Sequence, residues 1–213
     1  MRASLPVVLA LTGTSTAAAL PKIPFVTSTG VITLTNTNTA AIATRQSVAN
    51  ACFVIGSTTL PQEVADVAAS LASSVTCSTS ETTLSGVPDV TSGSTTFSSI
   101  DFSQSSQTAL QFALSKFATA SPLASTDLQT FQDQLNVYEA TEAGIRSVGG
   151  SLAIKVPKFF LEMQVSRIQT AQGNPPAAAG LQVDHLRDKV LKNAPKEAQS
   201  LLDQVTQLAT QLS

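Results

Sequence analysis

Thr126 to Ser147 reads TDLQTFQDQLNVYEATEAGIRS. Leu128, Phe131, Leu135 and Tyr138 follow one another at spacings of three and four, and Ile145 continues the line one heptad later. Apolar residues at that period share one face of an α-helix. Thr126 and Gln129 stand three apart, the pattern of a capping box, so the helix is expected to start there. Gly149-Gly150 ends it, because glycine accepts the left-handed backbone that closes a helix. One apolar stripe of this kind has to be covered by other helices, and the same pattern recurs on both sides.

Downstream, Val156, Phe159, Phe160 and Met163 form the apolar face of a stretch at about 151–172. Pro157 lies in its first part, so this helix either starts near Val156 or kinks there. Gly173-Asn174-Pro175-Pro176 is a break. A shorter helix over 180–193 carries Leu181, Leu186 and Val190, and Lys189 and Lys192 suit its C-terminal end. Pro195 opens the last helix, where Leu201, Leu202, Val205, Leu208, Ala209 and Leu212 make a wide stripe.

Upstream, residues 104–119 place Leu110, Leu114 and Phe117 on one line. Pro61 to Cys77 reads as a helix with Val64, Val67, Ala68, Leu71 and Val75 on one face. Between these two, Ser- and Thr-rich residues at about 78–103, broken by Gly86, Pro88 and Gly93, read as a long loop. Phe97, Ile100 and Phe102 are placed to pin that loop to the core. Residues 46–55 are apolar enough to be buried, as a helix or otherwise. The fold class is therefore mostly α: a helical bundle in one domain over 45–213, with an irregular, partly extended N-terminal segment.

Residues 1–19 have the form of a signal peptide. Arg2 supplies a positive charge, Leu5 to Leu11 a short apolar run, and Ala17-Ala18-Ala19 the small residues that a signal peptidase accepts. The expected product begins at Leu20 and works outside the cytosol. Residues 20–44 form a Thr/Ala-rich segment in which Val31 to Thr39 alternates, reading as a short strand or as a flexible leader.

Without Arg2, eleven basic side chains face fourteen acidic ones, a formal charge of −3. That balance gives no bulk attraction to nucleic acid or anionic membranes. No later stretch has the ~20 apolar residues of a membrane span. Charged residues are only 12% of the chain, so the surface is solvated chiefly by hydroxyls and amides. Cys52 and Cys77 are the only cysteines, and an even count in a secreted chain reads as a disulfide.

No set of residues carries a catalytic or cofactor signature, and no metal ligand set is evident. His185, the only histidine, is flanked by Asp184 and Asp188 on a helix, which reads as a solvated face. Glu139 and Glu142 sit one turn apart with Asp133 nearby; two carboxylates on one turn do not face each other across a cleft as glycoside hydrolysis requires. They read as surface charge. Ser151 after Gly149-Gly150 resembles half a nucleophile elbow, but Ala153 replaces the second glycine. The Thr33, Thr35, Thr37 and Thr39 row is one rank, too few for an ice-binding array. With no Trp and one Tyr, stacking platforms are lacking and the nine Phe are core. Asn-X-Ser/Thr sequons are absent, while the Ser/Thr-rich stretch offers O-glycosylation acceptors.

The signal peptide, the Ala/Ser/Thr/Gln-rich helices and the run Ser125-Thr126-Asp127-Leu128-Gln129-Thr130-Phe131 resemble small secreted proteins of filamentous fungi, in particular their hydrophobic-surface-binding cell-wall proteins. The resemblance covers about residues 100–213. It implies a noncatalytic protein of the cell surface, wall or matrix, a class that includes proteins directed at a host, with a wall or hydrophobic surface as partner. Two other readings stand beside it: an extracellular carrier with an apolar small molecule between its helices, and an enzyme with an unrecognised site.

Overall fold

The computed structural model of the chain describes Val48 and residues 50–213. The expectations for residues 1–19 and 20–44, including the alternation at 31–39, lie outside the described residues. Among those described, six α-helices run in the order α1 (Gln62–Leu71), α2 (Ala109–Lys116), α3 (Leu128–Ser147), α4 (Lys155–Ala171), α5 (Val183–Asn193) and α6 (Gln199–Thr210). A small antiparallel sheet of β1 (Thr76–Thr82), β2 (Pro88–Ser92) and β3 (Thr95–Thr96) lies between α1 and α2 in the chain. The mostly α, bundle-like fold expected from the periodicity is the observed one.

The 20-residue α3 is its axis. From Val137 to Ile145 all but one of its residues are buried, so the helix is enclosed on every side rather than along one stripe. α1 and β2 pack on it from one direction and α4 from another, while α4 also meets α2 and α5, and α6 closes on α5 and α2. The N-cap is Asp127, whose carboxylate accepts from the Gln129 N–H at 3.1 Å. Thr126, the expected start one residue earlier, instead accepts from the Ala120 N–H at 3.0 Å. Gly149 takes a φ of 69° just past the end, as a closing glycine does. Pro157 falls in the first turn of α4, where a missing N–H costs nothing, and the helix continues unbroken to Ala171.

Tyr138 sits at the centre. Its hydroxyl donates to the Ile100 carbonyl at 2.6 Å, and the Phe97 and Phe117 rings meet its ring edge-on, with centroids at 5.1 and 5.7 Å. Burial pushes its phenol well above the ordinary tyrosine range. Phe97 and Ile100 are buried here and Phe102 half-buried, so these residues do pin the Ser/Thr-rich stretch to the bundle.

That stretch is not one long loop. Thr76 pairs with Thr91 and Cys77 with Val90, and the Gly93-Ser94 turn brings Thr95 back onto Ser92. The reason lies in the anchors. Val87, Val90 and Phe97 are fully buried against α3, while β1 is exposed Ser, Thr and Glu apart from half-buried Cys77 and Ser78. The helix expected to reach Cys77 correspondingly ends at Leu71. Ser74 closes it, its N–H and its hydroxyl both donating to the Leu71 carbonyl. Cys77 belongs to β1, and its disulfide to Cys52 spans Cα atoms 6.0 Å apart.

Ala51 to Gly56 is not helical. It crosses α3 at Gly144, where a Cβ would stand 2.5 Å from the Phe53 carbonyl oxygen and 2.7 Å from both Val87 methyls. The Ser147 hydroxyl accepts from the Ile55 and Gly56 N–H groups at 3.2 and 2.9 Å. The absent side chain at 144 is what lets this segment lie flat on the helix.

Candidate functional site

Two of the helices place charge where the sequence pattern suggests packing. Glu142 and Arg146 are four apart on α3, and Lys158 and Glu162 are four apart on α4. Because α3 and α4 pack together, these intrahelical pairs fuse. Glu142 accepts from Arg146 at 2.8 Å with one oxygen and meets Lys158 Nζ at 3.0 Å with the other. Lys158 Nζ reaches on to Glu162 at 3.2 Å. Only 2% of Glu142 is exposed, so the expectation of surface charge at this residue is overturned: its apolar stripe neighbours draw the whole face of α3 inside.

This network lines a cleft of about 320 Å3 between α1, α3, α4 and α5. Glu63, Val64 and Val67 come from α1, Glu139 and Arg146 from α3, Lys155 and Phe159 from α4, and His185, Leu186 and Lys189 from α5. Three ammonium groups gather at the Phe159 ring, Lys158 at 4.1 Å from its centroid and Lys155 and Lys189 each at 5.9 Å. Attraction to the face of the ring holds cations there that would otherwise repel one another.

The charge states follow from the neighbours. Burial alone would raise the Glu142 carboxyl, but Lys158 and Arg146 outweigh it and hold it below the usual carboxylate range. Burial would lower the Lys158 ammonium; Glu162, Glu142 and Glu139 together push it up instead. Glu162 is raised, chiefly by burial, against the pull of Lys158. Glu139 has no hydrogen bond or ion pair among the described residues, and burial followed by repulsion from Glu162 pushes it up to about 8. It is therefore a neutral acid at neutral pH. Because its folded value lies above the unfolded one of about 4.3, the folded state loses stability as pH rises between the two. Glu139→Gln should remove that loss. The variant is expected to melt higher than wild type at pH 9, with the gap closing toward pH 4. Equal melting temperatures at pH 9 would contradict a half-buried, unpaired Glu139 that holds its proton.

The other sequence candidates are dispersed. Asp133 faces away from Glu139, accepting from Ser92 at 2.9 Å. Asp184 and Asp188 are exposed and both paired with Arg187 at 2.9 Å; His185 is exposed at the rim of the cleft. Ser151 is exposed in the turn between α3 and α4. Among the described residues no group of three His, Cys, Asp or Glu side chains is arranged to hold a metal ion, and no helix is long and apolar enough to cross a membrane. Lys155, Lys158, Glu162 and Lys189 were not singled out as site residues from the sequence. The available signal was the pair of opposite charges at i and i+4 on each of two consecutive helices.

A second feature lies at the other end of α4. Val205 and Ala209 of α6 are buried, whereas Leu201, Leu202, Leu208 and Leu212 are only half-buried. Beside the end of α6 is an open groove of about 410 Å3, lined by Ser166, Thr170, Val183, Ala209 and Leu212 with the exposed Gln182, Asp184 and Thr210 at its edge. The Ser166 hydroxyl is buried without a hydrogen-bond partner. Two polar clasps hold α6 down. Arg167, buried on α4, donates to the Gln211 carbonyl at 2.8 Å, and Glu197, just before α6, accepts from Thr108 and from the Leu110 N–H at the start of α2. Burial lowers the Arg167 guanidinium from its ordinary value.

These features define a disulfide-closed helical bundle with a charged cleft at one end and a loosely seated terminal helix at the other. The chain belongs to the family described as Domain of unknown function (DUF7143), whose model matches residues 54–213. No curated protein and no solved structure matches it.

Proposed function

We propose that this is a secreted, noncatalytic protein of the cell surface, wall or extracellular matrix that acts by association with hydrophobic surfaces through α6. The observation that carries the reading is the seating of that helix: of six apolar stripe residues two are buried and four half-covered, beside an open groove. Exposing a leucine fully costs roughly 1.5–3 kcal/mol in water. At an oil–water or hydrophobic-solid boundary that cost vanishes, and an amphipathic helix lies flat with its apolar face down. The disulfide and the signal-like residues 1–19 support an oxidising, external compartment. The resemblance to hydrophobic-surface-binding wall proteins points the same way.

Protein at low concentration is expected to deplete from solution onto hydrophobic beads with its helicity retained. Protein that stays in solution beside the beads would overturn the reading. Secretion has its own check: the external protein is expected to begin at Leu20 on N-terminal sequencing, and an intact Met1 there would contradict it.

The groove beside α6 favours one second reading, a carrier of a small molecule with an apolar part, through Val183, Ala209 and Leu212 in its wall. A carrier would bind an apolar dye in bulk solution without beads and melt higher with it.

A further inference from the structure

Two cations of the charged cleft are left out of its ion pairs. Arg146 and Lys158 are engaged by Glu142 and Glu162, but Lys155 and Lys189 have no ion pair among the described residues, although both are half-buried. Their ammonium groups flank one ring. Burial, then repulsion from Arg146, lowers the Lys155 ammonium, and Lys158 and Lys189 add to that; Glu142 is the one opposing influence. A half-buried ammonium crowded by like charge is an incomplete ion arrangement, and an anion completes it. The carboxylates of the cleft do not serve: Glu142 and Glu162 hold Arg146 and Lys158, and neither Glu63 nor Glu139 pairs with Lys155 or Lys189. Val64 and Val67 of α1 and Leu186 of α5 supply the apolar part of the lining, beside Glu63 and His185.

We propose that this cleft binds a small organic anion, with its carboxylate or phosphate between Lys155 and Lys189 and its apolar body against Val64, Val67 and Leu186. The site is separate from α6, and its occupation does not depend on adsorption. Glu139, which lines the cleft without a partner, acts as a proton-linked gate. Protonated, it adds no negative charge beside the lysines and its O–H is available as a donor. Ionised, it adds a negative charge that repels the ligand. The titratable and charged groups that line the cleft with it are Glu63 of α1, Glu142 and Arg146 of α3, Lys155, Lys158 and Glu162 of α4, and His185 and Lys189 of α5.

The probes are benzoate and phenyl phosphate, titrated calorimetrically into the full chain at low ionic strength and neutral pH. Saturable binding at one site is expected, tighter for phenyl phosphate than for inorganic phosphate. Lys155→Met and Lys189→Met should each weaken it about tenfold, the size of one charge-assisted contact of ~1.4 kcal/mol. Benzoate affinity should fall as pH rises through about 8, and Glu139→Gln should reduce that fall. Should either lysine variant fail to fold, acetylation of wild-type Lys155 and Lys189 provides the same reading, since bound phenyl phosphate must protect both. No saturable binding of either probe, affinity indifferent to both lysines, or undiminished acetylation would each overturn the assignment.

Discussion

Alanine at Glu142 is expected to lower the stability of the folded protein by about 3 kcal/mol, toward the lower end of what breaking a buried ion pair costs. The carboxylate holds Arg146 and Lys158 at once, and its side chain is 3% exposed. Removing it leaves Arg146 without a partner and Lys158 with Glu162 alone. Their own side chains are 18% and 12% exposed, so water relieves part of the penalty. The measurement is a urea midpoint at pH 7 for wild type, Glu142→Ala, Lys158→Met and the double variant. The double variant should be less destabilised than the sum of the singles, because both singles break the same Glu142–Lys158 pair. The pH dependence has a definite sign. The folded Glu142 carboxyl lies below its unfolded value of about 4.3, so its contribution is full above that value and is lost as pH falls through the folded one. The gap between wild type and Glu142→Ala should therefore narrow in acid. A gap of a few tenths of a kcal/mol at pH 7 would place Glu142 on the surface after all.

Cys52→Ser should cost a similar amount, roughly 3 kcal/mol in the chain-entropy view of a loop spanning 25 residues. The effect has a local signature. Cys52 is joined to β1, and the adjoining Phe53 is buried at the crossing of α3. Without the bridge, Ala51 to Gly56 keeps only its hydrogen bonds to Ser147 and the packing of Phe53. Amide exchange should accelerate in 51–58 and in β1 well before it does in α4. Full alkylation of both cysteines in the denatured, unreduced protein would contradict the bridge itself.

The helical frame was legible because stripes such as Leu128, Phe131, Leu135 and Tyr138 repeat at the period of a helix, and their burial decides the packing. The sheet was not, because β1 carries almost no apolar load. It is held by backbone pairing, one disulfide and the buried Val87, Val90 and Phe97 that follow it. A Gly93-Ser94 pair between Val90-Thr91-Ser92 and Thr95-Thr96 was the one hairpin signal in the stretch. The cleft was hidden for another reason. A charged residue on a helix reads as solvated until the neighbouring helix is known, and Glu142 is buried only because Lys158 arrives from α4. Burial also reversed the reading of Glu139, a carboxylate by sequence and a neutral acid in its place beside Glu162. The last helix was read correctly as an apolar stripe, but periodicity cannot tell a stripe that is buried from one that is half-covered.

The charged cleft and α6 make different demands, and the association reading depends on α6. Its most direct test is bead adsorption by Leu208→Glu, measured at a denaturant-free temperature where variant and wild type are equally folded by circular dichroism. Leu208 is half-buried in the middle of the stripe, so a charge there should cost little stability in water yet forbid the helix from lying on an apolar surface. The account predicts that wild type depletes onto the beads while Leu208→Glu remains in solution. Equal adsorption of the two, or adsorption that simply follows the unfolded fraction of each, would contradict it.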